Sequence, residues 1–151
     1  MPSLELPAEL VVIAWLKAQP AIGSAIPVAT KLPETLTEWG TSRLFIISQV
    51  ILDTTNPYGG FNTVIAQVDV WGRPATSQGS RPPYNRVAEL CGQLRDAALS
   101  YSNYGLVSHT SGTYKSSYVR DITLSSGFVR RYDPSELARF SGDLQFSYVG
   151  A

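Results

Sequence analysis

Hydrophobic and polar positions divide the chain into recognisable elements. Leu10 to Leu16 is an unbroken apolar run, preceded by Pro7 and stopped by Pro20. Proline suits the first position of a helix and ends one from beyond, so a short helix is predicted here. Seven apolar residues in succession leave no polar face, so this helix is expected to be covered on several sides, by its own domain or by a neighbouring subunit. It falls short of the roughly 18 apolar residues that a membrane span needs. Ala25–Lys31 reads as a short edge strand, since proline (here Pro27) is tolerated at sheet edges. Pro33–Trp39 reads as a helical turn ended by Gly40, with Thr35 and Glu38 at capping-box spacing.

Two strong strands follow. Arg43–Asp53 is rich in Phe, Ile, Val and Leu. In Phe61–Trp71, Val64, Ala66, Val68 and Val70 alternate with Ile65, Gln67, Asp69 and Trp71. Period-two alternation means one buried face. Asn56, Pro57, Gly59 and Gly60 between the two strands make a hairpin turn. Gly72–Pro83 then breaks the pattern with three prolines, two glycines and no hydrophobic anchor. Loops of that length in compact domains are usually functional or mobile.

A second helix is predicted from Tyr84 to about Ser100. Val87, Leu90, Cys91, Leu94, Ala97 and Ala98 form one apolar stripe, with Asn85, Glu89, Gln93 and Asp96 opposite. The last third reads as strand and turn: Tyr104–Thr110, Tyr118–Leu124, a turn at Ser125–Gly127 leading into Phe128–Asp133, a short turn at Pro134–Ala138, and a closing strand Arg139–Val149 with Leu144, Phe146 and Tyr148 on one face. The expected fold is one α+β domain spanning residues 1–151, a mixed, mostly antiparallel sheet with two main helices packed against it and an extended loop at 72–83.

Composition sharpens this picture. The 151 residues carry 12 basic and 12 acidic side chains, so the net charge is zero, which argues against a domain built to grip nucleic acid tightly and non-specifically. Charged residues make up 16%, against an average of about 25%, and aromatics 11%. Interface cores are depleted in charge and enriched in aromatics, so this balance points to an assembly subunit. Cys91 is the only cysteine and His109 the only histidine, which excludes an intrachain disulfide and a Cys/His zinc site. Cys91 falls in the helical stripe and is expected to be a core residue. The first nine residues have no Lys or Arg, so no signal peptide is expected, and synthesis in the cytoplasm is.

Little points to catalysis. His109 has no Asp or Glu within ten residues, and no GxSxG elbow is present. It is expected at the surface or in an assembly contact; a small hydrolase using His109 is the catalytic rival. The glycines at Tyr58–Phe61 lie between strands and offer no helix N-terminus to a phosphate. Asp121, Asp133, Glu136 and Asp143 read as ordinary strand and turn acids rather than a glycosidase pair. Arg130, Arg131 and Tyr132 make a small basic-aromatic patch, and with the Tyr/Phe-rich strands it makes a module that stacks single-stranded bases the rival from another class, which Asp133, Asp143 and the zero net charge count against. No enzyme activity, cofactor or metal is expected.

The order of elements, with a strand ending in Asp69–Val70–Trp71–Gly72, an arm-like loop, the helix containing Leu94–Arg95–Asp96–Ala97–Ala98–Leu99, and the closing Ala138–Val149 strand, resembles the tail terminator (minor tail, neck) proteins of long-tailed bacteriophages with non-contractile tails. The likeness covers most of residues 5–149. It implies a virion structural protein, made in the host cytoplasm, that forms a homo-oligomeric ring, usually hexameric. The ring sits on the last tail-tube ring, stops tube growth and meets a head-side connector, while DNA passes through its lumen without sequence-specific binding. A head-side connector or stopper is the nearest alternative. Such a ring uses heterologous interfaces, with two different patches on each subunit. Arg73, Arg81 and Tyr84, in and beside the 72–83 arm, are the expected assembly contacts.

Overall fold

In the computed structural model, the described residues are 8–31, 39, 42–54, 60–74, 82–111, 114–131 and 137–150. Among these residues two α-helices, α1 (Ala8–Lys17) and α2 (Tyr84–Leu99), and a short 3-10 helix (Tyr101–Asn103) accompany six strands: β1 (Val28–Ala29), β2 (Leu44–Thr54), β3 (Asn62–Gly72), β4 (Gly105–Ser111), β5 (Tyr114–Arg131) and β6 (Ala138–Gly150). The strands form one sheet in the order β1-β2-β3-β6-β5-β4. Only β1 and β2 run parallel; the other neighbours are antiparallel. The fold is therefore α+β with a mixed, mostly antiparallel sheet. None of the described helices is long and apolar enough to cross a membrane.

Alternation along the strands decides which side of the sheet is covered. Val64, Ala66, Val68 and Val70 of β3 join Leu144, Phe146 and Tyr148 of β6 in the main core, against Val11, Val12, Trp15 and Leu16 of α1 and Val87, Leu90, Cys91, Leu94 and Ala98 of α2. Both helices thus lie on one face. Trp15 meets Phe146 edge-on at 5.5 Å between ring centroids and donates Nε1–H to the Asn103 carbonyl at 3.1 Å, so its polar end is satisfied inside the core. The Tyr104 hydroxyl lies 2.6 Å from the Ala98 carbonyl and 3.1 Å from that of Ile122, tying the end of α2 to β5. Helix α1 is covered less completely than its sequence suggests: Leu10 is exposed, and Ile13 and Ala14 are half-buried.

The structure corrects the expected turn at Ser125–Gly127. The chain runs through it as one 18-residue strand, β5. Residues on both sides of it pair with the same strand, β6, and the surplus length is absorbed as register irregularities between Leu124 and Ser126 and between Ser126 and Val129. Bulges of this kind accommodate extra residues without ending a strand. Gly142 of β6 makes room for the bulged segment: a Cβ there would lie 2.9 Å from Phe128 Cδ1 and 3.2 Å from the Phe128 Cα. The expected edge strand within Ala25–Lys31 is present as the two residues of β1. Most of the expected turn Pro33–Trp39 lies outside the described residues, as do residues 55–59 of the hairpin turn and 134–136 of the Pro134–Ala138 turn.

Candidate functional site

The face of the sheet opposite the helices is the more informative side. Its residues are those that alternate with the core set: Phe45 and Ile47 of β2, Ile65, Gln67, Asp69 and Trp71 of β3, and Arg139, Ser141, Asp143, Gln145, Ser147 and Val149 of β6. Trp39 packs with Phe45, Ile47 and Trp71 as a second, smaller apolar cluster over one end of this face.

Next to that cluster is a polar network. Register places Trp71 opposite Arg139, Asp69 opposite Ser141, and Gln67 opposite Asp143. Asp69 is only 5% exposed. Its Oδ1 accepts from the Ser141 hydroxyl at 2.6 Å and from Gln67 Nε2 at 3.1 Å, and its Oδ2 accepts from Arg139 Nη2 at 3.0 Å. The Arg139 guanidinium also lies 4.9 Å from the centroid of the Trp71 ring, within cation–π range. A buried carboxylate with three donors is the arrangement that makes burial of its charge tolerable. Arg131, on β5, stands directly opposite Arg139. Arg131, Arg139, Gln67, Ser126, Ser141, Gly142 and Asp143 line an open cavity of about 250 Å³.

The other end of the open face is apolar. Leu106, 68% exposed, stands opposite Tyr118, 44% exposed, which in turn stands opposite Val149. Phe61 joins this row, its ring centroid 6.4 Å from that of Tyr118, with the Arg120 guanidinium 4.7 Å above it. Arg120 is also paired with Asp121 at 2.9 Å. Ile51 and Leu52 of β2 add two more exposed aliphatic side chains.

Two of the expected contact residues, Arg73 and Tyr84, fall at the arginine end. The backbone N–H of Arg73 donates to the Arg43 carbonyl at 3.0 Å, and its Nε is buried without a partner among the described residues. Tyr84 lies under the Arg130 guanidinium at 3.6 Å. Gly72 faces Pro83 and Val87 so closely that a Cβ there would lie 2.6 Å from Val87 Cγ2. The two ends of the 72–83 loop are thus pinned together, and Arg73 and Tyr84 are anchored beside its base. Arg81 lies outside the described residues.

His109 is half-buried on β4, its Nε2 2.7 Å from Ser117 Oγ, and burial lowers its pKa. This has the spacing of a nucleophile and base, but Ser117 is fully buried and no acidic side chain meets the other ring nitrogen among the described residues. A substrate could not reach that hydroxyl, so the geometry does not suit acyl transfer. Cys91 is buried in the α2 stripe, where desolvation pushes its thiol pKa up to about 12, well away from a reactive thiolate. Among the described residues no group of three or more His, Cys, Asp or Glu side chains is placed to hold a metal.

The Asp69 network and the Phe61–Tyr118–Leu106 row escape a reading of the sequence because both depend on strand pairing. The only sequence signal is that polar residues recur on the alternate positions of two strands, Gln67 and Asp69 on one and Ser141 and Asp143 on the other. Compared with known protein families the chain matches no family model, and compared with curated proteins it matches none.

Proposed function

We propose that the chain is a structural subunit that closes into a homo-oligomeric ring, the role implied by its resemblance to phage tail terminators: the ring caps the head-proximal end of a tail tube and joins it to a head-side connector. One observation carries this. Helices α1 and α2 cover one face of the sheet, and among the described residues Phe61, Leu106, Tyr118, Ile51 and Leu52 lie uncovered or partly covered towards one end of it. Large exposed apolar clusters on a soluble domain mark contact surfaces. The scarcity of charge agrees with this, since the surface that would be buried between subunits should be charge-poor. Arg73 and Tyr84, anchored at the base of the 72–83 loop, keep their place as contact residues, because a pinned base lets a loop reach a neighbour in a fixed direction.

The test is the mass of the purified protein across concentration, followed by mixing with tail-tube protein. A closed oligomer that binds tube ends and limits tube length is expected. A monomer at high concentration with no affinity for tube or connector refutes the proposal. Co-purification with connector or portal rather than tube would place the chain on the head side of the neck. Phe61 and Tyr118 on an open sheet are also what a stacking platform for single-stranded nucleic acid offers. Tyr118→Ala separates the two roles: it weakens oligomerisation if the row is an interface, and weakens oligonucleotide binding if it is a platform.

A further inference from the structure

We propose that the cavity on the open face between β3, β6 and β5 is a binding site for a phosphate group that carries a proton, as in inorganic phosphate or a singly ionised phosphomonoester. Its charge arrangement is the starting point. Arg131 and Arg139 stand directly opposite each other on adjacent strands. Like charges at such positions repel, and the sheet gives Arg139 a counter-charge through Asp69 while Arg131 has none among the described residues. An anion seated between the two guanidiniums removes that repulsion, and guanidinium forks match phosphate oxygens in pairs. Arg139 is held in place by Asp69 and by the Trp71 ring, so one half of the clamp is fixed before any ligand arrives. Ser126 and Gln67 supply further hydroxyl and amide groups on the wall.

The remaining wall residue sets the specificity. Asp143 lines the same cavity, and its side chain has no hydrogen-bond partner among the described residues. A carboxylate is an acceptor only, so it repels a fully deprotonated oxyanion but accepts a hydrogen bond from a P–OH. Inorganic phosphate carries such a hydroxyl in both of its forms near neutral pH, and a phosphomonoester carries one in its singly ionised form, below about pH 6. Sulfate and a phosphodiester do not. Two arginines and one carboxylate around a single cavity therefore select for a protonated phosphate. The site is complete within one chain, so it does not depend on ring formation.

The test is calorimetric titration of the intact chain at constant ionic strength with inorganic phosphate, glycerol phosphate, sulfate and a dinucleotide phosphodiester. Phosphate is expected to bind at about 1 mM or tighter, and sulfate at least tenfold more weakly. Whether glycerol phosphate binds as well as inorganic phosphate tells which of the two sources the site accepts. Arg131→Gln, at an exposed position that should not disturb folding, is expected to weaken phosphate about tenfold. Asp143→Asn is expected to bring phosphate and sulfate to within about twofold of each other, because an amide can donate to either. Absence of phosphate binding below 10-fold the expected concentration, about 10 mM, overturns the site. An unchanged phosphate-to-sulfate ratio in Asp143→Asn, or a phosphodiester that binds as well as phosphate, overturns the assignment of a protonated ligand.

Discussion

Removing the carboxylate of Asp69 should destabilise the protein more than removing any other acidic side chain described. In Asp69→Ala the Arg139 guanidinium, its side chain 29% exposed, keeps its charge and loses its anion, while the buried Ser141 hydroxyl loses its acceptor. Breaking a buried ion pair from one side costs about 3–5 kcal/mol; partial access of water to Arg139 puts the expected cost at the low end. The orphaned hydroxyl adds about 1 kcal/mol, for a total of roughly 3–4 kcal/mol. At about 2–4 °C per kcal/mol for a chain of this size, the melting temperature should fall by roughly 6–15 °C. Urea denaturation of the single variants and of Asp69→Ala/Arg139→Met measures this as a double-mutant cycle. The double variant should recover part of the loss, with a coupling above about 1 kcal/mol, because the methionine leaves no unpaired charge. A loss in Asp69→Ala below about 1 kcal/mol, or simple additivity, would show that the network contributes no stability of its own.

Gly142→Ala should cost about 1–3 kcal/mol in urea denaturation, since its Cβ would meet Phe128 at 2.9 Å and the Phe128 backbone at 3.2 Å, and the bulged strand must shift to admit it. Cys91 should resist a thiol reagent at pH 8 until the protein unfolds, because burial holds its pKa near 12; labelling should then follow the unfolding rate. Burial lowers the His109 pKa below that of the unfolded chain, so below about pH 6.5 the unfolded state takes up a proton that the folded state resists. Stability should decline as the pH falls from about 6.5 towards the folded pKa, with a slope no steeper than about 1.4 kcal/mol per pH unit; His109→Gln should flatten that part of the profile.

How much of this could be read from the sequence depends on the range of the interactions involved. The helices, the long hairpin and the last strand follow from periodicities within a dozen residues, and most of the apolar residues that predict them meet in the core, with Leu10, Ile51 and Leu52 left exposed. The Ser125–Ser126–Gly127 stretch misleads because its composition is that of a turn, while its conformation is decided by β6, which pairs with residues on both sides of it. Arg73 and Tyr84 were legible as residues flanking an unusual loop. That Tyr84 supports Arg130, and that Gly72 lets the two loop ends close, depends on contacts between distant strands and a helix. Asp69 looked like part of a strand motif; only the β3–β6 register reveals it as the acceptor for three side chains.

Net charge is the property in which averaging hides most. The chain sums to zero, yet Arg73, Arg130, Arg131 and Arg139 lie towards the end of the sheet where β3 and β5 finish and β6 begins, while the exposed apolar row lies towards the other. The two ends should therefore respond to salt in opposite ways. Contacts made by buried apolar side chains are not screened and strengthen in sulfate salts, whereas an anion held by arginines is displaced as salt rises. Raising sodium chloride from about 50 mM, where screening is weak, to about 500 mM should leave the oligomer intact and release bound phosphate. An oligomer that dissociates over this range would mean that the subunits meet through the arginine end instead, and Arg131→Gln rather than Tyr118→Ala would then be the variant that breaks the ring.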